Sequence, residues 1–98
     1  MVIGVCRVRL RLPENQSLKG KRAVLKSLIA RLQNKFKVSV AEVGDNESWQ
    51  LATIAAACVS NDERHANQVL AAIVNFVRGE RLDAEILDVE TEIIDGLG

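Results

Sequence analysis

Few side chains in this 98-residue chain could carry reaction chemistry, and they do not cluster. His65, Cys6 and Cys58 are its only histidine and cysteines, the residue types that serve as nucleophiles, general bases near neutral pH or soft-metal ligands. Each cysteine sits in an apolar, strand-forming run, so both read as buried reduced thiols with no histidine placed to activate them. His65 stands alone, without the spacing to Cys, His or carboxylate ligands that a metal site needs. No catalytic residue, metal or cofactor is expected. A different chemistry is written in Ser17-Leu-Lys-Gly-Lys-Arg22, where Lys19, Lys21 and Arg22 follow a serine suited to cap a helix. A helix N-terminus already carries partial positive charge, and each exposed cation there costs about 0.3–1 kcal/mol. Either a bound anion offsets that cost, with backbone N–H groups and the open space at Gly20 helping to cradle a phosphate, or acids from elsewhere in the fold do so. Asp45, Glu47, Glu80 and Asp83 are the internal candidates.

The charge is divided along the chain. Residues 1–37 carry ten Lys/Arg and one acid, Glu14, whereas residues 38–98 carry three Lys/Arg and twelve Asp/Glu, so a net charge of zero conceals +9 followed by −9. Such a split serves either a basic surface for an anionic partner or a fold that brings the two halves together. With 48% hydrophobic residues and one proline, the chain has the composition of a folded protein, and its length fits one domain over residues 1–98. Aromatic residues are limited to Trp49, Phe36 and Phe76, which leaves little material for stacking platforms. No apolar run approaches ~18 residues and the N-terminus leads directly into a strand pattern, so neither a membrane span nor export is expected and the reading is cytoplasmic.

The elements that must position these residues follow from periodicity. Val2 to Leu12 alternates, with Cys6, Val8, Leu10 and Leu12 on one side and Arg7, Arg9 and Arg11 on the other, which predicts a half-buried strand. Ser17 opens a helix over Leu18–Lys35, with Leu25, Leu28, Leu32 and Phe36 on its apolar stripe. Val38–Val43 and Trp49–Val59 read as a hairpin around the turn residues Gly44 to Ser48. Ser60-Asn61-Asp62-Glu63 has the capping-box pattern for a second helix that Gly79 ends, and Leu82–Ile94 closes as a strand with Leu87, Val89 and Ile93 opposed to Asp88, Glu90 and Glu92. The order β-α-β-β-α-β predicts an α+β, ferredoxin-like sandwich, an antiparallel sheet with both helices on one face. In its usual strand order, 4-1-3-2, Arg7, Arg9 and Arg11 lie across from Asp88, Glu90 and Glu92.

A helical wheel separates the cations. At 100° per residue Lys21 falls between Leu28 and Leu32 on the apolar stripe, while Lys19, Arg22 and Lys26 share one flank that Arg31, Lys35 and Lys37 extend. Glu42 shares parity with Val38 and Val40, so it faces inward at a strand end, where Lys21 is its expected partner in a structural ion pair. The open sheet face would carry Ile3 and Val5 beside the arginines, a flat surface that a second copy could cover.

Ser17-Leu-Lys-Gly-Lys-Arg22 after a first strand, Phe36-Lys-Val-Ser-Val-Ala-Glu-Val-Gly44, Trp49-Gln50 and Val59-Ser60 together resemble the YlxP-like family of small bacterial proteins over nearly the whole chain. Gly20 departs from the polar or acidic residue of many relatives. The resemblance implies a ferredoxin-like fold and, through genes near those for translation initiation and ribosome maturation, a role with RNA or the ribosome; the family itself is one of unknown function. Some ferredoxin-like proteins hydrolyse acyl phosphates with an arginine after the first strand, but here that loop is Leu12-Pro-Glu-Asn-Gln. The expectation is therefore a non-enzymatic protein that binds RNA or a ribosomal particle through Lys19, Arg22, Lys26, Arg31 and Lys35, by charge and shape and not by base stacking. The alternative is a homodimeric interaction module joined through the open sheet face.

Overall fold

The computed structural model describes residues 1–80 and 84–96. Its elements run β1 (Val2–Arg11), α1 (Leu18–Phe36), β2 (Ser39–Gly44), β3 (Leu51–Ser60), α2 (Glu63–Gly79) and β4 (Glu85–Asp95). The four strands form one sheet in the order β2-β3-β1-β4, antiparallel throughout, which is the ferredoxin-like arrangement that the alternation and helix spacing predict. The apolar side of β1, Cys6, Val8 and Leu10, with Leu12 just beyond it, meets Leu25, Leu28 and Leu32 of α1 and Leu70, Ile73 and Val77 of α2 in one core. Because strand residues alternate, every second residue of β1 is consigned to the uncovered face, and Arg7, Arg9 and Arg11 stand there exposed. Phe36 and Phe76 join the two helices edge to face, 5.7 Å between ring centroids.

Chain entries and exits follow the local chemistry. Ser17 caps α1 by accepting from the Gly20 N–H at 3.0 Å. The helix ends on Lys37 in the left-handed conformation, φ 55°, with its N–H returned to the Gln33 carbonyl. At α2 the cap is Asp62, whose side chain accepts from the Arg64 N–H, and not Ser60. Ser60 is still part of β3, paired with Val2, so its hydroxyl serves Asp62 N–H and the turn instead.

In β4 the expected inward set is Leu87, Val89 and Ile93; Val89 and Ile93 pack against the core, but Leu87 is exposed and Ile86 takes the inward place. A bulge is the cause: Arg9 faces Asp88 and Leu10 faces Ile86, which leaves Leu87 as the extra residue and flips the alternation. Strand β3 begins at Leu51, not Trp49, which lies in the bend before it. The start expected for the last strand, Leu82, lies outside the described residues. On β1, Gly4 lets α2 approach the sheet closely, since a Cβ there would stand 3.1 Å from Cys58 Sγ and 3.3 Å from both Ala66 and Leu70.

Candidate nucleic-acid interface

Lys21 is fully buried and anchors the start of α1 to the β2–β3 hairpin. Its ammonium donates to the carbonyl oxygens of Asp45 at 2.7 Å, Leu51 at 3.0 Å and, more weakly, Asn46 at 3.4 Å, and it lies 3.1 Å from Glu42 Oε2. Carbonyls thus take up the three N–H directions. The buried Glu42 oxygen has no hydrogen-bond donor among the described residues, so it balances the charge without a directed bond.

Asp45 extends the anchor to the opposite face of the sheet. It adopts φ 60°, a left-handed conformation that Asp tolerates better than most residues. While its backbone carbonyl holds Lys21, its carboxylate accepts from Thr53 Oγ1 at 2.7 Å and Arg9 Nε at 3.2 Å. The Thr53 hydroxyl, then Arg9, hold the Asp45 carboxyl below its usual range.

The strand arginines are satisfied within the fold, with partners that differ in detail from those expected. Arg7 pairs at 2.6 Å with Glu90, the residue directly opposite it in the sheet. Arg9 faces Asp88 but bonds Asp45 of the hairpin turn; beyond the bulge, which shifts β4 along β1, Arg11 pairs with Glu85 at 2.8 Å. Glu92 lies across from Val5 and meets no arginine of the strip.

The start of α1 differs from an open phosphate cradle. The space above Gly20 is filled by Asn15: a Cβ there would come within 2.5 Å of Asn15 Oδ1. The Asn15 amide donates to Ser17 O at 2.6 Å and Trp49 O at 2.5 Å, so this side chain clips the β1–α1 loop to the end of the hairpin. Nothing in the sequence pattern distinguishes Asn15, whose partners lie 34 positions away at Trp49 and close by at Ser17.

The remaining cations of α1 divide into two groups. Arg31 is paired with Glu80, which therefore serves the middle of the helix and not the first turn, where internal pairing would have placed it. Lys35 lies over the Phe76 ring, 5.6 Å from its centroid. Lys19, Arg22 and Lys26 are exposed and make no ion pair among the described residues. Arg22 and Lys26 also line a shallow groove between α1 and the edge strand β2, with Leu25, Ile29, Gln33 and Glu42. Of the other acids considered as internal partners, Glu47 is exposed and forms no such pair among the described residues, and Asp83 lies outside them.

The groups with the chemistry for catalysis stay apart. Cys6 is buried and burial pushes its thiol pKa up, while Cys58 is partly buried. Cys6 faces Ala56 and Cys58 faces Gly4, so the two are diagonal neighbours and unbridged. His65 is exposed in the first turn of α2. Among the described residues no group of three or more His, Cys, Asp or Glu could hold a metal ion, and no helix is long and apolar enough to cross a membrane.

Residues 3–91 match a family described as a protein of unknown function, DUF503. The chain is 45% identical over 69 residues to the uncharacterized protein YlxP of Bacillus subtilis (strain 168), a match spanning 66% of this chain and 75% of that one. Among solved structures, a point mutant of SnoaB, a cofactor-independent oxygenase from Streptomyces nogalater, aligns over 99% of this chain and 94% of its own at 9% identity, TM-score 0.49. A de novo designed protein with ferredoxin fold, LFR1 1, aligns over 100% of this chain and 89% of its own at 11% identity, TM-score 0.49.

Two outcomes test this description. Lys21→Met leaves carbonyls and a buried carboxylate without their cation and should lower stability by about 3–5 kcal/mol in denaturant unfolding, with Glu42→Gln added to it restoring part of the loss; a near-neutral Lys21→Met would contradict the anchor. Because the Asp45 carboxyl is depressed in the fold, its contribution is present above the unfolded value of about 4 and is lost as pH falls through the folded value. The unfolding midpoint should therefore drop less steeply below about pH 4 in Asp45→Asn than in the wild type. Identical acid limbs would show that Asp45 contributes nothing.

Proposed function

The chain belongs to the DUF503 family of unknown function, and we propose that it is a non-enzymatic protein that binds RNA, free or within a ribosomal particle, through the exposed face of α1. The observation that carries this reading is the uneven satisfaction of the basic residues. Arg7, Arg9, Arg11, Lys21 and Arg31 have carboxylate partners, and Lys35 has aromatic ones. Of the exposed cations without an ion pair among the described residues, Lys37 caps the far end of α1 and Arg64 and Arg78 belong to α2, whereas Lys19, Arg22 and Lys26 share one flank of α1, with Lys19 in the first turn, where the dipole disfavours a cation. A cost of that kind is offset when the cations meet phosphates, and their span of about 10 Å along the helix matches roughly three phosphates of a stacked strand. Lys35 extends the positive surface toward the end of the helix, while Arg31, expected to do the same, is balanced by Glu80. The strand arginines do not belong to the interface, because Glu90, Asp45 and Glu85 already neutralise them.

A second reading, a dimer through the open sheet face, is favoured by a different observation. Ile3 lies between Val59 and Ile94 in the sheet, and Val59 is 69% exposed and Ile94 44%. Val5 and Ala57 continue this apolar half of the face, which a twofold partner could bury.

The two readings separate by salt. Titrating labelled ribosomal RNA fragments should give a dissociation constant that rises steeply with salt, and Lys19→Glu, Arg22→Glu and Lys26→Glu together should flatten the log–log slope by about 2–3 without unfolding the chain; no binding by the wild type at low salt would remove the RNA reading. A sheet-face dimer should persist at high salt in sedimentation equilibrium and dissociate in Val59→Lys. A monomer at all concentrations would end the second reading.

A further inference from the structure

Resting on the RNA reading above, we propose that Trp49 is a stacking platform for one unpaired base of the strand whose phosphates lie along Lys19, Arg22 and Lys26, so that the ligand is single-stranded where it meets the start of α1. Trp49 is the only tryptophan in a chain without tyrosine, and it is 56% exposed, outside the core that takes both phenylalanines. Its place is fixed by its neighbours. Trp49 O accepts from Asn15 at 2.5 Å, and the same amide holds Ser17 O and covers Gly20, so the Trp49 backbone is one side chain away from the first turn of the basic helix. On one side Ser48 Oγ accepts from the Gln50 and Leu51 N–H groups. On the other, Gln50 accepts from the Leu12 N–H at 2.7 Å and donates to the Pro13 carbonyl at 3.1 Å. An aromatic residue on a backbone held at this many points loses little further freedom when a ligand packs on it.

The surrounding charge gives the strand a direction. Glu14 and Glu47, exposed in the two loops that Asn15 joins, repel phosphate on the loop side. Lys19, Arg22 and Lys26 attract it along the helix. One base at Trp49 with the backbone leaving over α1 meets both constraints, and it needs no second aromatic residue. A continuous duplex keeps its bases stacked on each other and could use only the cations.

The indole is its own reporter. Titration of the wild type with a short single-stranded RNA of mixed sequence should quench Trp49 fluorescence, and the same sequence annealed to its complement should bind more weakly with little quenching. By anisotropy of labelled RNA, Trp49→Ala should weaken single-strand binding about 5- to 100-fold with an unchanged salt slope, because stacking involves no counterion release, while Trp49→Phe retains most of the affinity. Wild-type binding with unaltered fluorescence, or with Trp49→Ala equal to wild type, would overturn the platform and leave the helix face standing. Absence of any RNA binding by the wild type would remove both.

Discussion

A buried ammonium is the constraint around which one end of this molecule is organised. Lys21 lies on the apolar stripe of α1 and reaches between the strands of the hairpin, out of contact with bulk solvent. The fold must therefore supply its company: carbonyls from Asp45, Asn46 and Leu51, and the Glu42 carboxylate. Supplying it dictates the course of the β2–β3 turn, including the left-handed Asp45. That residue in turn faces Arg9 and Thr53 with its carboxylate, so a demand that arises beneath the sheet is carried to its outer surface through one amino acid. An apolar residue at position 21 would leave the turn without this director, which is the specificity such buried charges can confer despite their desolvation cost.

The divided charge of the chain has two fates. Across the sheet it is consumed: Arg7 and Arg11 meet Glu90 and Glu85, and Arg9 meets Asp45. These exposed pairs are individually weak, but Arg7–Glu90 and Arg11–Glu85 join opposed residues of β1 and β4 and so disfavour a slipped register, in which an arginine would lose its acid. On α1 the positive charge is consumed only in part. The strand arginines are neutralised within the fold, whereas Lys19, Arg22 and Lys26 on the helix flank make no ion pair among the described residues.

Periodicity made the order of elements and the inward position of Lys21 and Glu42 readable, because burial on one face imposes a period of two on strands and of 3.6 on helices, and the strand order followed from the usual arrangement of the fold so recognised. What escaped depended on geometry that no local pattern encodes. Leu87 fits the inward alternation of its strand until a bulge, set by pairing with a residue far away in sequence, reverses it. Ser60 has the chemistry of a cap, but the sheet claims it first. Gly20 reads as room for an anion, whereas the room belongs to Asn15. The basic face of α1 was legible as a set of residues; which of them have partners required the positions of Glu80 and Phe76, supplied by the other helix and the segment after it.

The strand order also governs when the sheet can exist. The central strand β1 is hydrogen-bonded to β4, and the Arg7–Glu90 contact spans 83 positions. During synthesis β1 is made before its partners and holds an open edge until β4 follows, after α1, the hairpin and α2 have all been made. Loop closure over so long a span is entropically slow, so a nascent chain keeps one hydrogen-bonding edge of β1 unpaired for most of its elongation. The opposite charges of the two halves counter this: long-range attraction between a basic first segment and an acidic last one contracts the unfolded chain before any hydrogen bond forms. The same partition that leaves a basic face on the finished protein thus shortens the search by which its first and last strands find each other.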